Sequence, residues 1–435
     1  MKRLRTDGKL SALGAVALLA LSLVEANAAR AADNDCAGTQ AHVSSSWSQD
    51  KLDRIGDYIK DEIATARIPG AVMLIQQHGK PVYFKCFGVR DIIDRHPMTP
   101  DTIFRLYSMS KPITSVAAMM LVERGKLKLG DPLSKYIPAF ANTRVGIDGI
   151  EGNGQATLRL EPPKRPITIR DLLRHTSGIT YGFYGSELSR QRYAQLDLYD
   201  ENWDNAEFAD KVAKLPLAEQ PGTLWDYGHS TDVLGRVIEV VSGQTLYQFE
   251  KKNLLDPLGM KDTSFYVADK AKWPRIAQPM PDDRTIGTFV PITDPTKPMR
   301  WESGGGGMVG TVTDYARFAQ MLLNRGTLDG HRYLRASTVA TMTTDQIGPG
   351  SGIARDYYYF PGEGFGFGYG FAVRTQLSAD VPGPLGEFRW DGVGGTFFWV
   401  DPHDDMLVIF MAQTPTERGP MQRKLRQLIY GALKR

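Results

Sequence analysis

A serine and a lysine lie one helical turn apart at Ser108 and Lys111, a spacing that could support nucleophilic catalysis. The apolar run that follows, as far as Gly125, predicts a buried helix, and Pro112 is tolerated only in the first turn of such a helix. Side chains three positions apart share one helix face, so we expect the Lys111 amine beside the Ser108 hydroxyl. An amine held out of water gives up its proton more easily and can then activate a serine. The other interpretation is a helix N-cap serine followed by a solvated lysine.

A tyrosine provides a second reactive group at Tyr227. It follows the loop Pro221–Asp226 and precedes an apolar segment, predicted to be a helix, that Gly243 ends. A tyrosine at the mouth of a helix and close to a cation can act as a general base. The other interpretation is an aromatic loop anchor that packs over a helix end.

A third candidate segment is Trp390-Asp391-Gly392-Val393, in a stretch that predicts a β-strand. A glycine inside a strand often marks a place where a ligand or another backbone comes close. Such a strand can offer its N–H groups to an oxyanion that forms during acyl transfer. The three segments together therefore indicate a possible serine acyl-transfer site.

These groups need a scaffold, and the rest of the chain predicts an α+β fold. Amphipathic helices are predicted at 48–67 and 420–434. Strands are predicted, in chain order, at 71–77, 81–88, 387–390, 396–401 and 406–413. The region 131–299 is expected to be helical and rich in loops, with a polar excursion at 141–160. We therefore predict an antiparallel sheet flanked by helices and interrupted by an inserted, mostly helical region.

The N-terminus has the pattern of a secretory signal peptide, in which basic residues precede an apolar run and Ala-x-Ala cleavage candidates. This pattern predicts an exported protein, periplasmic or secreted, without a stable membrane anchor; an uncleaved anchor is the alternative. The expected division is a signal peptide at 1–32, a leader segment at 33–47 and a single serine-hydrolase domain at 48–435. Its sheet part is expected at about 48–130 and 300–435, and its helical part at about 131–299.

The composition, with 42% hydrophobic and 23% charged residues, is that of an ordinary globular protein. Removal of 1–32 takes away five cations and two anions, so the net charge falls from +3 to about zero. No basic field then remains to predict nucleic-acid binding. Cys36 and Cys86 could pair in an oxidising compartment, but the sequence leaves their pairing open. The seven histidines lack metal-binding spacing, so no metal site is predicted.

With the three motifs in this order, the chain resembles the serine β-lactamase and penicillin-recognising superfamily. The resemblance is closest to its class C-like branch, and within that branch to the family VIII carboxylesterases. Two further stretches, 167–178 and 304–311, are similar to that branch as well. The resemblance extends over about residues 48–430.

The resemblance implies a role for each motif residue. Ser108 would be the acylated nucleophile, Lys111 the amine that activates it, and Tyr227 the second member of the proton-transfer pair. The N–H groups of Ser108 and Val393 would form the oxyanion hole. No cofactor is implied for this chemistry.

The chain departs from the superfamily in its third motif, where lactamases carry Lys-Thr-Gly and this chain has Trp390, Asp391 and Gly392. The cation that helps to hold a substrate carboxylate is lost, and the tryptophan would present an apolar wall to a neutral group. We therefore expect hydrolysis of carboxylic esters of small neutral substrates. The alternatives are a β-lactamase or D,D-peptidase acting on amides, a transacylase, and a non-catalytic binding module.

Two more residues are expected to contact substrate. His229 replaces the asparagine of the family's Tyr-x-Asn motif, either as a hydrogen-bonding substitute or as a group that titrates near neutral pH. Tyr181 is expected to line the acyl pocket, with buried packing as the alternative. His175 is interpreted as part of a supporting turn rather than as a triad histidine. The oligomeric state is left open.

Overall fold

The computed structural model of this protein describes residues 34–36, 45–196, 202–283, 285–286 and 290–434. The expected signal peptide, 1–32, lies outside the described residues. Within the described ranges, no helix has the length and apolar character that crossing a membrane requires.

An eight-stranded antiparallel sheet forms the centre of the molecule. Its strands are β1 (Asn34–Asp35), β2 (Gly70–Gln77), β3 (Lys80–Gly88), β4 (Phe365–Phe367), β5 (Ala372–Arg374), β6 (Phe388–Gly392), β7 (Thr396–Asp401) and β8 (Met406–Ala412). They lie in the order β1-β3-β2-β8-β7-β6-β5-β4. Strands from the two ends of the chain meet where β2 pairs with β8, from Ala71 opposite Ala412 to Gln77 opposite Met406.

Eleven α-helices are found in the described part of the chain. They are α1 (Gln49–Ala64), α2 (Ser110–Glu123), α3 (Ile169–Leu173), α4 (Leu188–Gln195), α5 (Asn205–Val212), α6 (Ser230–Ser242), α7 (Leu246–Glu250), α8 (Asp256–Leu258), α9 (Val312–Leu323), α10 (Ala336–Met342) and α11 (Arg418–Ala432). One π-helical stretch, Lys251–Leu255, joins α7 to α8. Short 3-10 turns precede or follow several of the helices.

The sheet is buried on both faces because its side chains alternate between two hydrophobic clusters. Phe397 and Trp399 of β7 pack in the cluster that contains α1 and α11. Phe398 and Val400 of the same strand face the larger cluster, which contains α2, α6 and α9. Helix α2 is therefore enclosed, and every residue from Ser110 to Leu121 is buried. An enclosed helix of this kind gives the groups at its N-terminus a rigid support.

Several sequence predictions are confirmed by the structure. The antiparallel sheet flanked by helices matches the predicted α+β fold. The hairpin β2–β3 and the strands β6, β7 and β8 lie within two residues of their predicted bounds. Helix α6 ends at Gly243, whose left-handed φ of 69° is readily adopted by a residue without a Cβ.

The polar excursion at 141–160 contains a β-hairpin, which the sequence did not predict. Its strands, Val145–Ile150 and Ala156–Glu161, pair antiparallel. The turn contains Asn153 and Gly154, and Gly154 has a φ of 80°. Asn-Gly is a strong local hairpin signal, but mostly exposed strands do not show the half-buried alternation of a core strand.

Cys36 and Cys86 form a disulfide, with their Cα atoms 5.2 Å apart. The segment before Cys36 was expected to be a loose leader, but Asn34 and Asp35 pair with Cys86 and Lys85 at the edge of the sheet. This pairing and the disulfide together fasten the N-terminal segment to β3.

Candidate active site

Ser108 lies in a 3-10 turn, Tyr107–Met109, directly before α2. Tyr107 has a φ of 47°, a left-handed conformation that is costly for a residue with a Cβ and that often occurs beside reactive groups. The Tyr107 hydroxyl accepts a hydrogen bond from the Thr293 N–H at 3.2 Å, and its ring lies against the backbone of Gly394. These contacts hold the turn, so that the half-buried Ser108 is presented at the helix N-terminus.

The three residues predicted to be catalytic lie together around the serine oxygen. Lys111 Nζ donates to Ser108 Oγ at 3.1 Å, and the Tyr227 hydroxyl donates to the same oxygen at 2.7 Å. The Lys111 ammonium also lies over the Tyr227 ring, 4.7 Å from its centroid. A nucleophile, an amine and a phenol within hydrogen-bonding distance are the arrangement that serine activation by a base requires.

Lys111 is 1% exposed, and its amine is fixed by two further groups. Nζ donates to the Gly305 carbonyl at 2.5 Å and to the Tyr181 hydroxyl at 3.1 Å. Tyr181 was predicted to line the acyl pocket, and the structure places its hydroxyl within hydrogen-bonding distance of the Lys111 amine. Gly305 belongs to a glycine run that the sequence indicated only through the resemblance.

Asp232 is a supporting residue that the sequence analysis did not identify. Its Oδ1 accepts hydrogen bonds from the Ser303 hydroxyl at 2.5 Å and from the Gly305 N–H at 3.0 Å. A Cβ on Gly305 would come within 2.6 Å of this carboxylate, so only glycine fits there. Burial alone would raise the pKa of the Asp232 carboxyl, but the hydrogen bond and charge of His229, together with the Lys111 charge, lower it. The carboxylate therefore holds the peptide whose carbonyl holds Lys111.

Asp232→Ala should reduce both stability and turnover, because it leaves the Ser303 hydroxyl and the Gly305 N–H without their acceptor. We expect a loss of about 2–4 kcal/mol in the free energy of unfolding. We also expect kcat to fall on the order of 10- to 100-fold, since Gly305 no longer fixes the amine. Denaturant titration and steady-state kinetics measure the two effects. Asp232→Asn keeps one acceptor oxygen, so its stability and its kcat should lie between those of the wild type and those of Asp232→Ala.

The pH dependence of this stability loss follows from the sign of the pKa shift. The pKa of the Asp232 carboxyl is lower in the folded protein than its ordinary value of 3.8 in the unfolded chain. Its ionised form therefore contributes its full stabilisation above pH 3.8, and this contribution disappears as the pH falls through the lower pKa of the folded protein. The difference in unfolding free energy between wild type and Asp232→Ala should therefore stay constant from about pH 8 to about pH 4. A difference that closes between pH 7 and pH 5 would contradict the ionised role of Asp232.

His229 was predicted to contact substrate, but it is 1% exposed. Its Nδ1 lies 3.0 Å from Asp232 Oδ2, and its ring packs edge-on against Tyr181 with centroids 4.5 Å apart. The structure thus places His229 behind Tyr181, in the group of residues that supports Lys111.

The third motif lies against the turn that carries Ser108. A Cβ on Gly392 would come within 2.2 Å of the Leu106 carbonyl oxygen, and one on Gly394 within 2.5 Å of the Tyr107 ring. The glycines therefore allow β6 to approach the segment next to Ser108. Val393, between them, is half-buried. The segment that contains Val393 thus runs next to the turn that carries Ser108.

Trp390 and Asp391 border the site in different ways. Trp390 is 3% exposed, and its ring lies edge-on to that of Tyr227 with centroids 5.3 Å apart. Asp391 is partly exposed and pairs with Arg418 at the start of α11, with Nη1 and Oδ1 3.3 Å apart. A cation therefore lies next to this motif, but the Asp391 carboxylate neutralises it.

His175 lies beneath the site rather than in it. It is fully buried, and its ring centroid is 4.9 Å from that of Tyr227. Burial, with a contribution from the Lys111 charge, holds the pKa of His175 well below its ordinary value. A neutral imidazole packed under the tyrosine agrees with the supporting role that the sequence predicted.

Among the residues that the structure describes, one group of side chains could hold a metal ion. Asp401, His403 and Asp404, at the turn between β7 and β8, bring ligand atoms within 4.8 Å of one another. The Asp401 carboxylate already accepts the N–H groups of His403 and Asp404 and the Tyr430 hydroxyl. The Asp401 carboxylate therefore already has hydrogen-bond donors within the protein. None of these three residues belongs to the candidate active site.

Comparisons with known proteins agree with this geometry. The Beta-lactamase family model matches residues 55–431. Protein Rv1367c of Mycobacterium tuberculosis is 34% identical over 366 residues, which cover 82% of this chain and 88% of that protein. Esterase EstB of Burkholderia gladioli is 30% identical over 403 residues, 87% of this chain and 94% of EstB. The structure of EstCE1, a hydrolase with promiscuous acyltransferase activity, superposes with a TM-score of 0.71 at 27% identity, over 88% and 99% of the two chains.

The match to the family model and the two long alignments each extend over most of the chain, and the reactive serine, lysine and tyrosine come together as a serine hydrolase requires. The chain belongs to the beta-lactamase family, and within it is a serine hydrolase related to esterases.

Proposed function

We propose that this protein is an exported esterase that cleaves carboxylic esters of small neutral substrates through an acyl-enzyme on Ser108. The observation that carries the proposal is the position of Ser108 Oγ, which lies 3.1 Å from Lys111 Nζ and 2.7 Å from the Tyr227 hydroxyl. The similarity to EstB and EstCE1 supports ester cleavage rather than another reaction of the family.

The cycle begins when Ser108 Oγ attacks the ester carbonyl carbon and its proton passes to the Lys111–Tyr227 pair. The carbonyl oxygen becomes an oxyanion that the N–H groups of Ser108 and Val393 stabilise. The C–O bond to the alcohol then breaks, and Tyr227 returns the proton to the leaving oxygen. Water, deprotonated by the same pair, attacks the acyl carbon and releases the acid and Ser108. The side chains, the substrate and water supply every proton and electron pair in this cycle.

The preference for a neutral ester over a β-lactam rests on the third motif. The buried Trp390 places an apolar ring beside Tyr227, which favours an uncharged group next to the reacting bond. A β-lactam carries a carboxylate, and Arg418, the cation beside the third motif, is already paired with Asp391. An anionic substrate would have to compete with that carboxylate for the guanidinium.

Turnover of p-nitrophenyl butyrate and nitrocefin by the purified protein tests this preference. We expect butyrate hydrolysis to dominate and nitrocefin hydrolysis to be slow. Asp391→Asn, which leaves Arg418 without its charged partner, should raise kcat/KM for nitrocefin by about two- to fivefold and change that for butyrate little. Dominant nitrocefin turnover by the wild type would instead favour the lactamase alternative.

Export is supported by the signal-peptide pattern of residues 1–32 and by the Cys36–Cys86 disulfide, because such bonds persist in oxidising compartments. The intact mass of the protein recovered from a periplasmic extract decides the point. A mass that lacks about the first 32 residues is expected, whereas the full-length mass in a cytosolic fraction would contradict export.

A further inference from the structure

A continuous row of aromatic rings borders the catalytic groups, and we call Tyr181, Phe183, Tyr184, Tyr358 and Phe360 the aromatic wall. Phe183 stacks on Tyr181 with centroids 4.7 Å apart, and it contacts Tyr184 edge-on at 5.4 Å. Tyr184 contacts Tyr358 at 5.0 Å and Phe360 at 5.5 Å. The wall therefore joins two segments that are distant in sequence, 181–184 and 358–360.

Both ends of the wall touch the catalytic machinery. The Tyr181 hydroxyl accepts a hydrogen bond from Lys111 Nζ at 3.1 Å. Phe360 lies edge-on to the Tyr227 ring with centroids 5.1 Å apart. A group attached to the carbonyl carbon or to the leaving oxygen at Ser108 would therefore lie next to these rings.

The wall is open to solvent where a ligand could reach it. Phe183 is 53% exposed and Phe360 is 50% exposed, whereas most large apolar side chains of this protein are buried. Exposed aromatic faces close to a reactive centre are typical of binding sites. Rings in this setting provide edge-to-face and stacked contacts, which another aromatic ring satisfies better than an aliphatic group of similar size.

A buried charge network fixes the wall from behind. Arg190, 4% exposed, lies 4.8 Å from the Tyr184 ring centroid and 5.5 Å from that of Tyr358. Its Nη1 lies 3.1 Å from Asp226 Oδ1, which also accepts the Tyr184 hydroxyl at 3.0 Å. Asp226 directly precedes Tyr227, so the wall and the catalytic tyrosine share one support. Rings held in this way lose little further freedom when a ligand binds.

We propose that the aromatic wall binds an aromatic ring carried by the acyl or the alcohol part of the ester, and that this ring is a determinant of substrate preference. The inference rests on the proposed function and specifies the class of group that the site accepts.

The test compares esters that differ only in the aromaticity of one ring, with hydrolysis followed by pH-stat titration so that no chromogenic aryl group is present. In the acyl arm, ethyl 3-phenylpropanoate is compared with ethyl 3-cyclohexylpropanoate. In the alcohol arm, 2-phenylethyl acetate is compared with 2-cyclohexylethyl acetate. A cyclohexyl ring is at least as apolar as a phenyl ring, so hydrophobic burial alone would not favour the phenyl ester.

We expect kcat/KM to favour the phenyl ester by about two- to tenfold in at least one arm, which also identifies the part of the ester that contacts the wall. Phe183→Leu and Phe360→Leu should reduce this ratio towards one. Trp273→Leu is the control, because Trp273 is also an aromatic residue with an exposed face, 36% exposed, but it lies in the 3-10 turn Lys270–Arg275 and is not part of the wall. The ratio should persist in that variant, and circular dichroism checks that all three variants fold.

Equal or reversed rates in both arms, or a phenyl preference that survives both phenylalanine substitutions, would overturn the inference while leaving the esterase proposal intact. Hydrolysis of ethyl butanoate, which has no ring, distinguishes a failure of the inference about the wall from a failure of the proposed esterase function. If the wild type hydrolyses neither ethyl butanoate nor any of the ring-bearing esters, the proposed function fails, and the inference about the wall fails with it.

Discussion

Ser108→Ala should eliminate ester turnover, with kcat lowered by about 10⁴-fold or more and no covalent adduct left at this position. The substitution removes the only atom that forms the acyl-enzyme in the proposed cycle. Lys111 and Tyr227 remain, but the oxygen to which both donate hydrogen bonds is gone. Any residual rate would come from binding and from the oxyanion hole alone.

The measurement is p-nitrophenyl butyrate hydrolysis together with the intact mass after treatment with a fluorophosphonate probe. Wild type should gain one probe mass and the variant none. Ser337→Ala is the matched control, because Ser337 is an exposed serine of α10. It should keep both turnover and labelling. A Ser108→Ala variant that still hydrolyses butyrate or is still labelled would show that another residue is the nucleophile.

Tyr227→Phe should lower kcat by about 10²- to 10⁴-fold with little change in stability, because it removes one oxygen from the proton path. The phenyl ring keeps the contacts that surround Tyr227, with His175, Trp225, Phe360 and Trp390. The lost hydroxyl lies 2.7 Å from Ser108 Oγ, so both the activation of the serine and the protonation of the leaving alcohol are affected. Burst kinetics separate these two steps.

Two controls distinguish lost chemistry from lost structure. Tyr357→Phe makes the same chemical change at a tyrosine that is 95% exposed, and it should leave kcat within about twofold. The thermal midpoint of Tyr227→Phe should stay within a few degrees of the wild type, since about 1 kcal/mol corresponds to only a few degrees in a domain of this size. A variant that retains full kcat would exclude Tyr227 from the proton path, whereas a much lower thermal midpoint would attribute the lost kcat to lost structure.

The parts of the fold that were predictable are those with a strong local pattern. The apolar run of β8 and the apolar stripe of α1, with Leu52, Ile55 and Ile59 buried, can be recognised from periodicity alone. Strands β4 and β5 were not predicted, because the segment Gly364–Gly370 alternates glycine with aromatic residues and resembles a turn-rich loop. The strand β4 in this segment depends on its pairing with β5, and β5 in turn depends on its pairing with β6.

In the candidate site, too, the contacts within one helix were predictable and those between distant segments were not. Ser108 and Lys111 are three residues apart, so helix geometry predicts their contact. Asp232 and Gly305 are 73 residues apart, and their hydrogen bond depends on how α6 meets the glycine run. The one local signal was the position of Asp232 in the first turn of α6, where an acidic residue is ordinarily explained by the helix dipole. His229 shows the same limit, because its position in the motif did not reveal that it is buried behind Tyr181.

The glycines of the third motif divide the site into a fixed part and a variable part for protein engineering. A side chain at Gly392 or Gly394 would collide with Leu106 or Tyr107 and push β6 away from the turn that carries Ser108. Libraries that aim to change substrate range should therefore leave these two codons untouched. Substitutions should instead be made at Phe183 and Phe360. These side chains are half exposed, so larger or smaller residues can replace them without moving a strand. Selection for new esters can thus act on these two side chains while β6 keeps its position beside Ser108.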